Sequence, residues 1–270
     1  MRVTSINYIS PNFNARKPEI KKADDIQRRA RKEFPTLSST YINMFYCCAK
    51  KPNKDLYKQY KAEKYGTIVN EKITDSREKA DRNERIFGLR IPYSNVLNYI
   101  KRDKAGNCAE CSASVIAALA ANGIYDSQMT NIGLSIEFIN KNTKRSEYKA
   151  TEPIDHSLVI TALNKPKPKE KDFIVIDSWM CFADSISGAK NRYKNVFTDK
   201  FMDPEIKYHR SLFRINQYEK SMNFINFDDY DTRTRIYFYK APDKYDTENL
   251  KDLGTLCKIK YPNLEIKYND

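Results

Sequence analysis

Hydrophobic and polar positions change their pattern twice along the chain. From Glu19 to Phe34, apolar Ile20, Ala23, Ile26, Ala30 and Phe34 recur at helical spacing with charges between them, and Pro35 ends the run. Such a basic amphipathic helix is expected to pack on its own domain rather than on a membrane. Two further charged stretches, near 54–65 and 75–87, lack Gly and Pro and read as helices. Residues 1–18, with Pro11 and Pro18, read as an irregular lead-in, followed by a helical region over 19–90.

The pattern changes after Ile91 and Pro92. A short helix around Ser94–Ile100 leads into AGNCAECSASVIAALAANGI, and beyond it lie four strand-like runs: Leu134–Ile139, Ser157–Leu163, Phe173–Trp179 and Arg235–Tyr239. The loop KPKPKEKD at 165–172 joins the middle two without a helix, so they are predicted to form an antiparallel hairpin. Helices first and antiparallel strands afterwards indicate an α+β fold, with residues 91–270 as one domain.

Composition adds limits. With 40% hydrophobic residues, 19 Tyr and 13 Phe, the 270-residue chain has the means to build a packed core. The formal charge of +13 would attract anionic surfaces, although a Lys-rich solvated exterior is the simpler reading. Six cysteines, at 47, 48, 108, 111, 181 and 257, are too sparse for a disulfide framework and fit a reducing compartment. Asn7 and Ser10 interrupt any apolar signal-like core, and no stretch is long and apolar enough to span a bilayer. The expectation is a soluble protein, cytoplasmic or secreted without a cleavable signal peptide.

Three positions carry candidate chemistry. Asn107 is a good N-cap, Glu110 stands in capping-box position, and Gly123 suits the C′ position of the same helix, so Cys108 is predicted to open it. Free N–H groups and partial positive charge at a helix start favour the thiolate form. Only two histidines exist, and His156 opens the apolar run DHSLVITAL. Asp177 follows the apolar run FIVI two residues before Trp179, and hairpin pairing brings it towards His156. A carboxylate that holds one imidazole nitrogen leaves the other to serve a thiol.

In this order, Gly106-Asn107-Cys108-Ala109-Glu110, Asp155-His156 and Ile176-Asp177-Ser178-Trp179 resemble the papain-like superfamily in its compact transglutaminase-like branch. Within it the closest likeness is to bacterial toxins and effectors that deamidate glutamine in target proteins, and to related cysteine proteases, over roughly residues 90–180. The resemblance implies a catalytic domain over 91–270 with a papain-like core, the nucleophile at a helix start packed on an antiparallel sheet. It implies Cys108 as nucleophile, His156 as base and Asp177 as its orienting partner, with Asn107, Glu110 and Trp179 in support. It implies no cofactor and no metal, and a protein or peptide substrate, one with an acidic surface suiting the basic chain. Transglutaminases carry a tryptophan before the cysteine, whereas Trp179 follows the aspartate, which argues against cross-linking activity.

The backbone N–H of Cys108 is the natural oxyanion donor, with Asn95, Asn98 or Asn107 as side-chain candidates. Arg192, Tyr193 and Lys194 are candidates for substrate contact. Cys108-Ala-Glu-Cys111 is also a C-x-x-C, but no βαβ pattern frames it as a redox pair. Zinc is disfavoured because the remaining Cys and His residues are scattered. Nucleic-acid binding through basic helices is the non-enzymatic alternative, and no recognition motif accompanies the charge.

Overall fold

The computed structural model describes residues 17–36, 69–79, 93–201, 230–240 and 249–266. In chain order these hold helices α1 (Pro18–Glu33), α2 (69–79), α3 (Tyr93–Asp103) and α4 (Cys108–Ala121), then strands β1 (Gln128–Asn140), β2 (Ser146–Thr161), β3 (Ile174–Asp177) and β4 (Phe182–Ser185). Helix α5 (Ile186–Phe201), strand β5 (Tyr230–Lys240) and helix α6 (Leu250–Lys260) follow. The helix predicted at 54–65, and the part of the 75–87 helix beyond residue 79, lie outside the described residues.

The five strands form one sheet in the order β4-β3-β2-β1-β5. Every neighbouring pair is antiparallel, so the class is α+β. The two middle runs meet as a hairpin, with Val159 opposite Ile176 and Thr161 opposite Ile174.

Both faces of this sheet are covered. Val159, Ile174, Ile176 and Ala183 point towards α1, α3, α4 and α6 and join their apolar faces in one core. Leu158, Val175 and Phe182 alternate with them and, with Ile132 and Ile236, pack against Ala189 and Tyr193 of α5. Helix α4 is enclosed on nearly all sides, every residue from Cys111 to Ala121 being buried, which explains why its sequence lacks a polar face. Gly123, at φ 75°, ends it in the left-handed conformation that glycine adopts without strain.

The apolar stripe of α1 faces inward as its spacing indicates, with Ile20, Ala23, Ile26, Ala30 and Phe34 all in the core. Its buried Asp24 accepts hydrogen bonds from Gln27 at 2.8 Å and from Arg28 at 3.0 and 2.7 Å. Arg29 donates to the carbonyl of Glu265 at 2.9 Å, while Asn122, just past α4, joins Leu264 and Ile266. The first described helix and the last described turn are thereby tied to the same core. Among the described residues no helix is long and apolar enough to cross a membrane.

Three sequence expectations need correction. Strand β2 begins at Ser146, not at His156, and β1 begins at Gln128. Within β2, Pro153 pairs with Gly133 on one side only, where β3 does not reach, and an edge position tolerates a proline. Strand β3 stops at Asp177, so Trp179 lies in the following turn and not on a shared strand face. Strand β4 and helices α5 and α6 were not foreseen, because each is short or weakly patterned and acquires its apolar partners from distant segments.

Helices α4 and α6 touch at Gly254, where an added Cβ would sit 2.4 Å from the carbonyl oxygen of Ala120. Backbone atoms cannot step aside as side chains do. Gly254→Ala is expected to lower stability by about 1–3 kcal/mol, measured by urea denaturation.

Candidate active site

Cys108 is the first residue of α4 and is half-buried. The helix start is held by its neighbours: the Asn107 N–H donates to Glu110 Oε2 at 2.8 Å, one arm of the capping box. Arg77 of α2 clamps the same carboxylate from outside, at 2.8 and 3.0 Å. Glu110 is thus committed to anchoring the helix, and Arg77 balances a negative charge that would otherwise lie one turn from the thiol.

His156 reaches the site through an irregularity in β2. Strands β1 and β2 pair in register up to Asn131 opposite Ser157, and resume with Ile132 opposite Ile154. Asp155 and His156 are extra residues on β2, a bulge of the kind that redirects side chains. Ser157 donates to Asn131 at 2.8 Å beside it.

The ring of His156 is 7% exposed and its Nε2 lies 2.6 Å from Asp177 Oδ2. The Cys108 side chain lies near enough to bear on the ring's charge. With Nε2 held by the carboxylate, Nδ1 is the nitrogen left to serve the thiol. Burial works against a charged ring, but the charge of Asp177, its hydrogen bond and the contact with Cys108 outweigh it and raise His156 to about 10.

Asp177 is fully buried and uses both oxygens. Oδ2 accepts from His156 and from the Tyr193 hydroxyl of α5, while Oδ1 accepts the Met180 N–H at 2.8 Å. The last bond closes the turn after β3, in which Cys181 takes a positive φ of 64°. Trp179, carried by that turn, lies against the His156 ring with centroids 4.9 Å apart. The two ring planes meet at 55°, so the indole packs beside the imidazole at a tilt.

Cys111 lies one turn further along α4 and differs in every respect. It is buried, its Sγ lies 3.4 Å from Thr36 Oγ1, and burial pushes its thiol up to about 12. A thiol so reluctant to ionise makes a poor member of a dithiol redox pair.

Of the remaining sequence candidates, Asn98 and Arg192 are committed to other partners, and the side chain of Lys194 lies outside the described residues. Asn98 accepts a hydrogen bond from Tyr261 at 2.9 Å, which commits it to the contact between α3 and the C-terminal turn. Arg192 pairs with Asp184 at 2.8 Å and lies over the Phe182 ring. Tyr193, considered from sequence as a substrate contact, is 1% exposed and points inward. Its link to Asp177 carried no sequence signal, since nothing near residue 193 marks an inward-facing tyrosine. Among the described residues no group of three or more His, Cys, Asp or Glu could hold a metal ion.

No protein-family model, curated protein or solved structure matches this chain.

Two outcomes follow. Brief treatment with iodoacetamide near neutral pH is expected to label Cys108 and spare Cys111 until the protein unfolds, read by peptide mass spectrometry; equal labelling would contradict the contrast between the two thiols. The second concerns pH. Because the folded value of His156 lies above its ordinary 6.5, the charged ring contributes stability in full below about pH 6.5 and loses that contribution as pH rises towards about 10. The stability advantage of the native protein over His156→Gln should accordingly shrink across that interval, measured by denaturation at several pH values.

Proposed function

We propose that this protein is a cysteine-dependent hydrolase of amide carbonyls in protein substrates, built on a papain-like core of the transglutaminase-like type. One observation carries the reading: a half-buried cysteine at a helix start bears on a histidine whose Nε2 is 2.6 Å from a buried aspartate. Such an arrangement suits nucleophilic attack on carbonyl carbon.

In the proposed reaction the Cys108 thiolate adds to the carbonyl carbon, forming a C–S bond and placing negative charge on the oxygen. The N–H groups of the first turn of α4, which have no intrahelical acceptor, supply the stabilising donors. The imidazolium of His156 protonates the leaving nitrogen, the C–N bond breaks, and a thioester remains. Water then attacks with His156 taking its proton, the C–S bond breaks, and the carboxylate product leaves. Asp177 keeps the ring oriented and compensates its charge throughout.

The leaving nitrogen distinguishes two products. Ammonia from a glutamine side chain makes the protein a glutamine deamidase, the reading favoured by the likeness of Gly106–Glu110, Asp155-His156 and Ile176–Trp179 to deamidating effectors. A main-chain amine would make it a protease with the same steps. The buried, low-exposure Cys111 weakens the redox reading of the C-x-x-C.

Incubation with candidate proteins tests this directly. Deamidation raises substrate mass by about one dalton and releases ammonia, whereas proteolysis creates new chain ends. Cys108→Ala should abolish either product and His156→Ala should nearly do so. Asp177→Asn should retain more activity than His156→Ala, since it loosens the ring rather than removing it. Amide hydrolysis that survives Cys108→Ala would overturn the mechanism.

A further inference from the structure

Asp177 Oδ2 accepts two donors, and only one of them belongs to the three residues assigned above. The second is the Tyr193 hydroxyl, brought to the strand end by the second turn of α5. The tyrosine ring is fixed on all sides that are described: its centroid lies 5.5 Å from that of Phe182, 6.2 Å from Phe238 and 6.0 Å from the His156 ring. The phenol is 1% exposed and donates its hydrogen to the carboxylate, as a buried tyrosine hydroxyl needs a partner.

Packing alone does not require that hydroxyl. The cluster around it consists of Ile132, Leu158, Val175, Phe182, Ala189 and Ile236, and a phenylalanine would fill the same space. The oxygen therefore points to a role at Asp177. Each donor that a carboxylate accepts withdraws part of its negative charge, which weakens its attraction for the next donor.

We propose that Tyr193 is a positioning residue of this site: its buried hydroxyl divides Asp177 Oδ2 with His156, restrains the carboxylate, and limits how tightly the pair holds the imidazole proton. The proposal rests on the triad reading for its catalytic consequence, but not for the hydrogen-bond chain itself. Among the described residues, the ionisable groups bearing on this chain are Cys108 of α4, His156 of β2, Asp177 of β3 and Arg192 of α5. Arg192 is occupied by Asp184, and the facing positions of β4 and β5, Phe182 and Phe238, are aromatic. Asp177 is the carboxylate through which Tyr193 and His156 meet.

With Oδ2 no longer shared, Asp177 should hold the imidazolium more strongly. Tyr193→Phe is thus expected to raise the titration midpoint of His156 by about half a unit to one unit. It should lower kcat by about 3- to 10-fold with KM unchanged, because the carboxylate gains freedom to rotate. Loss of packing would give neither the upward shift nor that split.

The experiment is an NMR titration of the imidazole protons in the full chain. Having only two histidines makes it tractable, since His209→Gln leaves His156 alone in the spectrum. The titration is run with Tyr193 and with Tyr193→Phe, each also carrying Cys108→Ala to remove the thiolate's own influence. Site-specific 3-fluorotyrosine at 193, a more acidic donor of the same shape, provides a second arm and should move the midpoint downward. An upward shift with phenylalanine and a downward shift with fluorotyrosine support the role. Midpoints that stay in place, or move the same way in both, reduce Tyr193 to core packing. If these shifts appear while the native protein hydrolyses no amide, the hydrolase reading fails and the Tyr193 assignment stands.

Discussion

A carboxylate with no exposure to solvent constrains more of this structure than any other group. Removing Asp177 from water would cost several kcal/mol if its charge were left uncompensated, and three donors arrive to meet it: His156, Tyr193 and the Met180 N–H. Each comes from a different part of the chain. The bulge in β2 delivers the imidazole, the approach of α5 delivers the phenol, and the turn after β3 delivers the backbone N–H. A shift in any of these elements would leave a buried charge or a buried donor without its partner, so polar satisfaction specifies their relative placement more sharply than the apolar contacts do.

The apolar layers do a different task. Helix α4 is enclosed by α1, α3, α6 and the sheet, and this rigid surround presents its first residue at the margin of the core. Three positions along the same helix separate a thiol that meets an imidazole from a thiol sealed against Thr36. Similar side chains thereby acquire opposite character: Cys108 is accessible and next to a charged ring, while Cys111 is held neutral by its surroundings. The Glu110–Arg77 pair belongs to this arrangement, since it secures the helix start without leaving a bare carboxylate beside Cys108.

Local rules made part of this legible in advance. The spacing of Ile20, Ala23, Ile26, Ala30 and Phe34 announces a buried helical stripe, and Asn107 with Glu110 and Gly123 marks both ends of α4, because helix periodicity and capping depend on residues only a few positions apart. The short link between the two middle strands implies their hairpin for the same reason. That hairpin is also what let His156 and Asp177 be named as neighbours, 21 positions apart in the chain.

Other features have no local signature. The extra residues at Asp155 and His156 arise only when β2 must pair with Asn131 and again with Ile132, so the side chain's direction belongs to the sheet and not to its own segment. Strand β4 is four residues long and exists because β3 supplies its ladder, and α5 turns Tyr193 inward because the second face of the sheet needs covering. The sequence by itself determined the buried stripe of α1, how α4 is capped, and the hairpin that makes His156 and Asp177 neighbours. The tertiary structure alone decided the bulge that aims the imidazole, the indole beside it and the phenol behind it, because each depends on partners brought together from distant parts of the chain.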